Sequence, residues 1–157
     1  MAPPWLLVTR TVRFGDTDAA GVMHFRQLLR WCHEAWEESL ERSGVAAAAV
    51  FPGGDPAAGD GGPSVALPIV HCSADFRRPL RCGDRLQVRL SPRRLDGDSF
   101  EVAYAFARDG EPVARGLLRH RAIEAASRRP CDLPPVLEGW LEAAVASADP
   151  GSFASVS

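Results

Sequence analysis

The run Arg13-Phe14-Gly15-Asp16-Thr17-Asp18-Ala19-Ala20-Gly21-Val22-Met23-His24-Phe25 sets two carboxylates between two glycines, directly ahead of an amphipathic stretch. Asp before a helix is most often a cap or turn former, because its short side chain accepts from nearby backbone N–H groups. One of the pair can serve in that way while the other does chemistry. A helix N-terminus exposes unpaired N–H groups and a partial positive charge, which together can hold a developing oxyanion. A carboxylate beside such a site can attack a thioester carbon directly or take a proton from water.

That geometry needs an element on each side of the turn. Residues 5 to 13 (WLLVTRTVR) are apolar and β-branched and read as a strand ending at Gly15. From Phe25 the apolar positions Phe25, Leu28, Leu29, Cys32, Trp36 and Leu40 recur at spacings of three and four, opposite Arg30, Glu34, Glu37, Glu38 and Glu41. This predicts one amphipathic helix closing near Gly44. The Gly/Pro-rich residues 52 to 63 (PGGDPAAGDGGP) have too little apolar surface to offset the entropy of ordering, and are expected to be a mobile loop.

Four strand-like runs follow, near residues 65–77, 84–92, 98–108 and 112–124, with alternation clearest in Leu86, Val88, Leu90 and in Phe100, Val102, Tyr104, Phe106. Asp96-Gly97 and Asp109-Gly110 suit tight hairpins. A short helix over about 134–147 carries Leu137, Trp140, Leu141, Ala144 and Val145 on one face, before a small polar tail expected to fray. The economical arrangement is an α+β domain spanning residues 1–157, with a core over about 5–125. In it, one curved five-stranded antiparallel sheet wraps one long helix, whose apolar stripe it buries.

The composition narrows the function classes. With 157 residues and 46% hydrophobic content, the chain suits a single domain with a real core. A net charge of −2 argues against nucleic-acid binding through bulk electrostatics. No apolar run reaches the roughly 18 to 20 residues of a membrane helix and no export signal is visible, so a cytoplasmic protein is expected. Cys32, Cys72, Cys82 and Cys131 lie far apart, with no CxxC pair and no His at metal-ligand spacing. They read as reduced, mostly buried thiols, and neither a metal nor a disulfide framework is expected. All 18 basic residues are Arg, so any phosphate contact must use a guanidinium.

The turn resembles the 4-hydroxybenzoyl-CoA thioesterase type of hotdog protein, whose pattern is an aromatic, then x-D-x-D-x-x-G-[VI], then an aromatic opening the helix. Phe14, Asp16, Asp18, Gly21, Val22 and Phe25 match it. Further agreement at Cys32-His33-Glu34-Ala35, Leu67-Pro68-Ile69-Val70-His71 and Cys82-Gly83-Asp84-Arg85-Leu86 is similar to one branch, the cyanobacterial 1,4-dihydroxy-2-naphthoyl-CoA hydrolases of phylloquinone synthesis. The resemblance covers roughly residues 8–125; Phe14 and the Gly/Pro insert depart from that branch. It implies the hotdog fold, hydrolysis of an aryl-CoA thioester without a metal or redox cofactor, Asp18 as the catalytic carboxylate and the Phe25 N–H as an oxyanion donor. It also implies a homo-oligomer, dimer or tetramer, with the acyl pocket at a subunit boundary, as an exposed sheet edge would also require.

Around this centre Asp16 is expected to be structural, tied to Arg13 or to backbone amides. His24 and His71 are candidates for contacting an aromatic acyl group, although a lone His is more often packed or solvated. Arg77 and Arg78, followed by Arg81 and Arg85, and separately Arg93 and Arg94, are candidates for the coenzyme A phosphates, with ordinary solubilising charge the alternative. Glu34 and Glu37 stand in for a second hotdog branch that uses a helix carboxylate, but Arg30 four residues before Glu34 favours a solvated face. A hydratase would need D-x-N-P-x-H, and Asp18 and His24 are one residue too far apart with the Asn and Pro missing. A noncatalytic acyl-CoA-binding protein is the alternative from another class.

Overall fold

The structure, a computed structural model, describes residues 2–53 and 62–146. Its elements in chain order are β1 (Leu7–Thr11), α1 (Phe25–Arg42), β2 (Val65–Ala66), β3 (Ile69–Phe76), β4 (Arg85–Asp96), β5 (Ser99–Arg108), β6 (Glu111–Arg121), β7 (Ile123–Glu124) and α2 (Pro135–Ala146). Five strands form one antiparallel sheet in the order β1-β4-β5-β6-β3, and β2 pairs with β7 in a separate two-stranded ladder. The long helix and the five-stranded sheet match the architecture read from the pattern. Most of the segment expected to be mobile, residues 54–61, lies outside the described residues, as does the tail expected to fray.

Two expected strands are each interrupted. The run 65–77 breaks at Leu67-Pro68, so that Val65–Ala66 pairs with β7 and only Ile69–Phe76 joins the main sheet. Proline has no N–H to donate to a ladder. The run 112–124 divides at Ala122 into β6 and β7, where the Ala122 N–H donates to the Asp98 carbonyl and the Ala122 carbonyl accepts from Cys131. The Asp109-Gly110 turn has both residues at positive φ, 51° and 81°, as a tight hairpin requires. The other hairpin turns on Gly97 and Asp98 through a register shift, with the Asp96 carboxylate accepting from the Asp98 N–H and the Ser99 hydroxyl.

Helix α1 buries Leu28, Trp31, Cys32, Ala35, Trp36, Ser39 and Leu40 against the sheet. Its closest approach is at β6: a Cβ at Gly116 would sit 2.5 Å from the Cys32 sulfur, so only glycine lets the helix settle there. Trp36, Phe100 and His120 pack together, His120 stacked on Phe100 with ring centroids 4.9 Å apart and tilted against Trp36 at 4.5 Å. Each large buried ring contributes on the order of 2 to 3 kcal/mol of transfer free energy. Helix α2 lies against β4, with Trp140 near Trp5 and Phe100. Its expected apolar face is one residue too long, because Val145 is 57% exposed near the end of the helix.

The two edges of the sheet differ. At β1, Arg42 donates to the Leu7 and Pro4 carbonyls and Arg10 pairs with Glu38, so α1 straps that side. At β3 every residue but Ala74 is exposed, including Ile69, Val70 and Phe76. This bare strand also corrects the expectation of mostly buried thiols: Cys72 on β3 and Cys82 in the following turn are exposed, Cys131 is half-buried and Cys32 alone is buried. None of the four is in a disulfide.

Candidate functional site

The turn before α1 is built from short-range hydrogen bonds. Asp16 accepts from the Arg13 N–H through Oδ2 (2.8 Å), donates its own N–H to the Arg13 carbonyl and accepts the His24 N–H on its carbonyl (2.9 Å). It thus ties both ends of the loop, the anchoring part expected of it. Asp18 sits inside the loop: its N–H meets the Val22 carbonyl (2.9 Å), its carbonyl accepts from Gly21, and Oδ1 accepts from the Ala20 N–H (2.8 Å). Gly21 makes the return possible at φ +75°, a conformation that costs other residues steric strain. Oδ2 of Asp18 takes no protein hydrogen bond among the described residues, and the side chain is exposed.

His24 is the N-cap of α1. Its Nδ1 accepts the Arg26 N–H at 3.2 Å and its ring stacks on Phe25, with centroids 4.5 Å apart. His is not among the favoured N-cap residues, so sequence preference gave no signal for this. Phe25 is the first helical residue, and its N–H donates to no acceptor among the described residues. No acidic residue lies in the first turn to neutralise the positive end of the helix. A free carboxylate oxygen and a free helix-start N–H therefore occur seven residues apart on one loop.

Asp18 and Phe25 line one cleft of about 440 Å³, with Val22 and Met23 beside them and Phe76, Arg77, Arg78, Pro79 and Leu80 from the end of β3 and the segment after it. That volume is in the range of small-molecule sites. Phe25 is 67% exposed, so it leaves the apolar stripe on which its spacing placed it and presents its ring at the cleft. The walls are joined where Met23 donates to the Leu80 carbonyl at 2.7 Å. Arg77 and Arg78 both give their N–H groups to the Val113 carbonyl, while their guanidiniums form no ion pair among the described residues.

The structure thus brings together Asp18, Phe25, Arg77 and Arg78, with His24 capping the helix beside them. It places other candidates elsewhere. His71 is exposed on β3, opposite Arg119 in register and outside the cleft lining. Arg93 is engaged with Glu101, which Arg119 also holds, and Arg94 bridges to Glu138 of α2. Burial raises the Glu101 pKa, but the two guanidiniums more than offset it and hold the carboxyl below its ordinary value. Glu34 pairs with Arg30 at 2.8 Å and lines a different groove with Glu37, Arg10 and Phe51. Sequence reasoning missed Met23, Phe76, Pro79 and Leu80 as lining residues; only the resemblance motifs on either side of 76–80 pointed near them.

Among the described residues no group of three or more His, Cys, Asp or Glu side chains is placed to hold a metal ion, and no helix is long and apolar enough to cross a membrane.

Comparison with known proteins agrees with this fold. The model of the thioesterase-like superfamily matches residues 12–141. A protein of Synechococcus sp. (strain CC9605) named 1,4-dihydroxy-2-naphthoyl-CoA hydrolase is 60% identical over 140 residues, 89% of this chain and 91% of that protein. The crystal structure of a putative thioesterase from Prochlorococcus marinus superposes with a TM-score of 0.85 at 54% identity, covering 89% of this chain and 96% of that one. A 1,4-dihydroxy-2-naphthoyl-CoA thioesterase from Synechocystis superposes with a TM-score of 0.75 at 32% identity, covering 87% and 94%. A helix wrapped by a five-stranded sheet, a carboxylate on the loop before that helix and these relatives together place the chain in the thioesterase-like superfamily, with the hotdog fold.

Proposed function

We propose that this protein is a thioester hydrolase that converts 1,4-dihydroxy-2-naphthoyl-CoA and water to 1,4-dihydroxy-2-naphthoate and CoA, a step of phylloquinone synthesis. The observation that carries the chemistry is that Asp18 and Phe25 line one cleft, with Oδ2 of Asp18 and the Phe25 N–H lacking a hydrogen-bond partner among the described residues. The acyl group is supported by the relatives of about 60% identity that bear this activity in their names.

In this reading the thioester carbonyl faces the Phe25 N–H, where the start of α1 stabilises negative charge developing on oxygen. Asp18 then acts in one of two ways. As general base it takes a proton from water, the hydroxide adds to the carbonyl carbon, and the C–S bond breaks to release the CoA thiolate, which is protonated. As nucleophile it attacks the carbonyl carbon, the C–S bond breaks to release the CoA thiolate, which is protonated, and water hydrolyses the resulting acyl-carboxylate anhydride. Arg77 and Arg78 meet the phosphates, and Phe25 and Phe76 offer apolar surface to the aromatic acyl group. Neither route needs a metal or redox cofactor. The bare β3 edge supports a homo-oligomer, whose second subunit completes the acyl pocket. A cytoplasmic location fits a substrate carried on coenzyme A.

The test is kcat/KM on 1,4-dihydroxy-2-naphthoyl-CoA, benzoyl-CoA and a medium-chain acyl-CoA, with Asp18→Ala as control. A preference of about a hundredfold or more for the naphthoyl ester, roughly 2.7 kcal/mol of transition-state discrimination, is expected. Comparable rates would leave a general thioesterase, and turnover that survives in Asp18→Ala would remove Asp18 from the mechanism.

A further inference from the structure

The Cys82-Gly83-Asp84-Arg85-Leu86 motif has no part in the chemistry above, yet it ends the segment that forms one wall of the cleft. That segment, residues 77–84, is held to the sheet at its two ends. Arg77 and Arg78 give their N–H groups to Val113 at 2.9 and 3.2 Å, while Gly83 donates to the Val12 carbonyl and Val12 returns a bond to the Asp84 carbonyl. Gly83, at φ +94°, turns the chain back on itself. Between the ends lies a stretch with Leu80 buried and Arg81 exposed.

Two side chains tie this middle stretch. Oδ2 of Asp84 accepts the Arg81 N–H at 2.9 Å and Nη1 of Arg108 at 2.7 Å, and the same Nη1 reaches the Pro79 carbonyl at 3.3 Å. One guanidinium nitrogen from the end of β5 thus bridges the centre of the wall to the carboxylate at its end. Burial raises the Asp84 pKa, but the Arg81 N–H and the Arg108 guanidinium lower it further, so the carboxylate is ionised throughout the neutral range. Neither Asp84 nor Arg108 lines the cleft.

We infer that Asp84 and Arg108 are a positioning pair that sets the wall carrying Arg77 and Arg78, and thereby controls the grip on the phosphate-bearing part of a coenzyme A thioester. This rests on the proposed acyl-CoA substrate and adds to it which residues govern binding without touching the ligand. The loop of Asp18 is fixed by its own bonds to Ala20, Gly21 and Val22, and meets the wall at the Met23–Leu80 bond. Loosening the wall therefore weakens binding and spares the chemical step.

The experiment compares Arg108→Gln with the parent protein on a full CoA thioester and on the matching N-acetylcysteamine thioester, which has no phosphates, and measures Kd for free coenzyme A by calorimetry. The expected result is a rise of about tenfold in KM for the CoA thioester and in Kd for coenzyme A, with kcat and the truncated substrate changed by about twofold or less. Asp84→Asn should match it, and the double variant should be no worse than either single change, since the two act as one unit. If Arg108→Gln does not fold, Arg108→Lys carries the test. Its ammonium keeps the charge but ends one bond short of the position of Nη1, on a flexible stem, so a rise of about threefold in Kd is expected. An equal loss on both thioesters, or an unchanged Kd for coenzyme A, would overturn the inference. Because that Kd is read without turnover, failure of the hydrolase reading would appear separately, as loss of Asp18-dependent activity in the parent.

Discussion

The turn that opens α1 and the ring cluster along its buried flank are held by opposite means. At the turn, Asp16 and Asp18 are exposed or half-buried, and their bonds go to backbone within eight residues. In the cluster, Trp36, Phe100 and His120 are essentially sealed from water, as is Tyr104 on the same strand as Phe100, and the ring contacts join distant parts of the chain. Packing there takes precedence over polar satisfaction: Nε1 of Trp36, the Tyr104 hydroxyl and Nε2 of His120 have no hydrogen-bond partner among the described residues. Nδ1 of His120 alone is engaged, with the Leu67 carbonyl at 3.0 Å. The contrast teaches that reactivity and stability are stored apart, so each should yield to substitution without the other.

The sharpest separation comes from Asp18→Asn. This near-isosteric change keeps an oxygen for the Ala20 N–H but removes the charge, so kcat should fall by about a thousandfold, on the order of 4 kcal/mol, with the melting temperature unmoved. A parallel loss of folding cooperativity would merge the two regions and break the comparison.

The buried imidazole gives the next largest effect, on stability alone. Burial, together with nearby His33, lowers the His120 pKa from 6.5 to about 4, against the opposing Leu67 bond. The unfolded chain takes up a proton below about 6.5 while the folded chain resists until about 4, so stability falls as pH drops through that window and levels off beneath it. The loss should approach about 3 kcal/mol in denaturant titrations. His120→Phe should flatten this acid limb while leaving kcat at neutral pH unchanged.

Asp16→Ala sharpens the boundary from the other side. Losing the bond to Arg13 should cost about 1 kcal/mol of stability and a reduction in kcat well short of that in Asp18→Asn. A loss equal to that of Asp18→Asn would make Asp16 a reacting group rather than an anchor.

What the sequence made legible follows the same division. The helix, the sheet and the loop carboxylates announce themselves through local spacing: Leu28, Cys32, Trp36 and Leu40 by helical period, Phe100 to Phe106 by alternation, and Asp18 by its glycine-flanked turn. The far wall of the cleft did not, because Phe76 to Leu80 meet Asp18 only after β3 and β4 have been placed, and no spacing encodes that meeting. Arg93 and Arg94 looked as available as Arg77 and Arg78 in one dimension. Their partners Glu101 and Glu138 come from another strand and from α2, so only the fold reveals that they are engaged. Trp31, likewise absent from the apolar stripe that the spacing predicts, is buried.

The two cations of the cleft wall, which form no ion pair among the described residues, carry one more consequence. A thioester is an acylating agent, and an amine held beside it invites permanent self-modification. Arg77 and Arg78 supply positive charge as guanidiniums, which stay protonated and lack the nucleophilic free base that a lysine can expose. A wall built this way can grip an activated acyl carrier through many turnovers without becoming its victim.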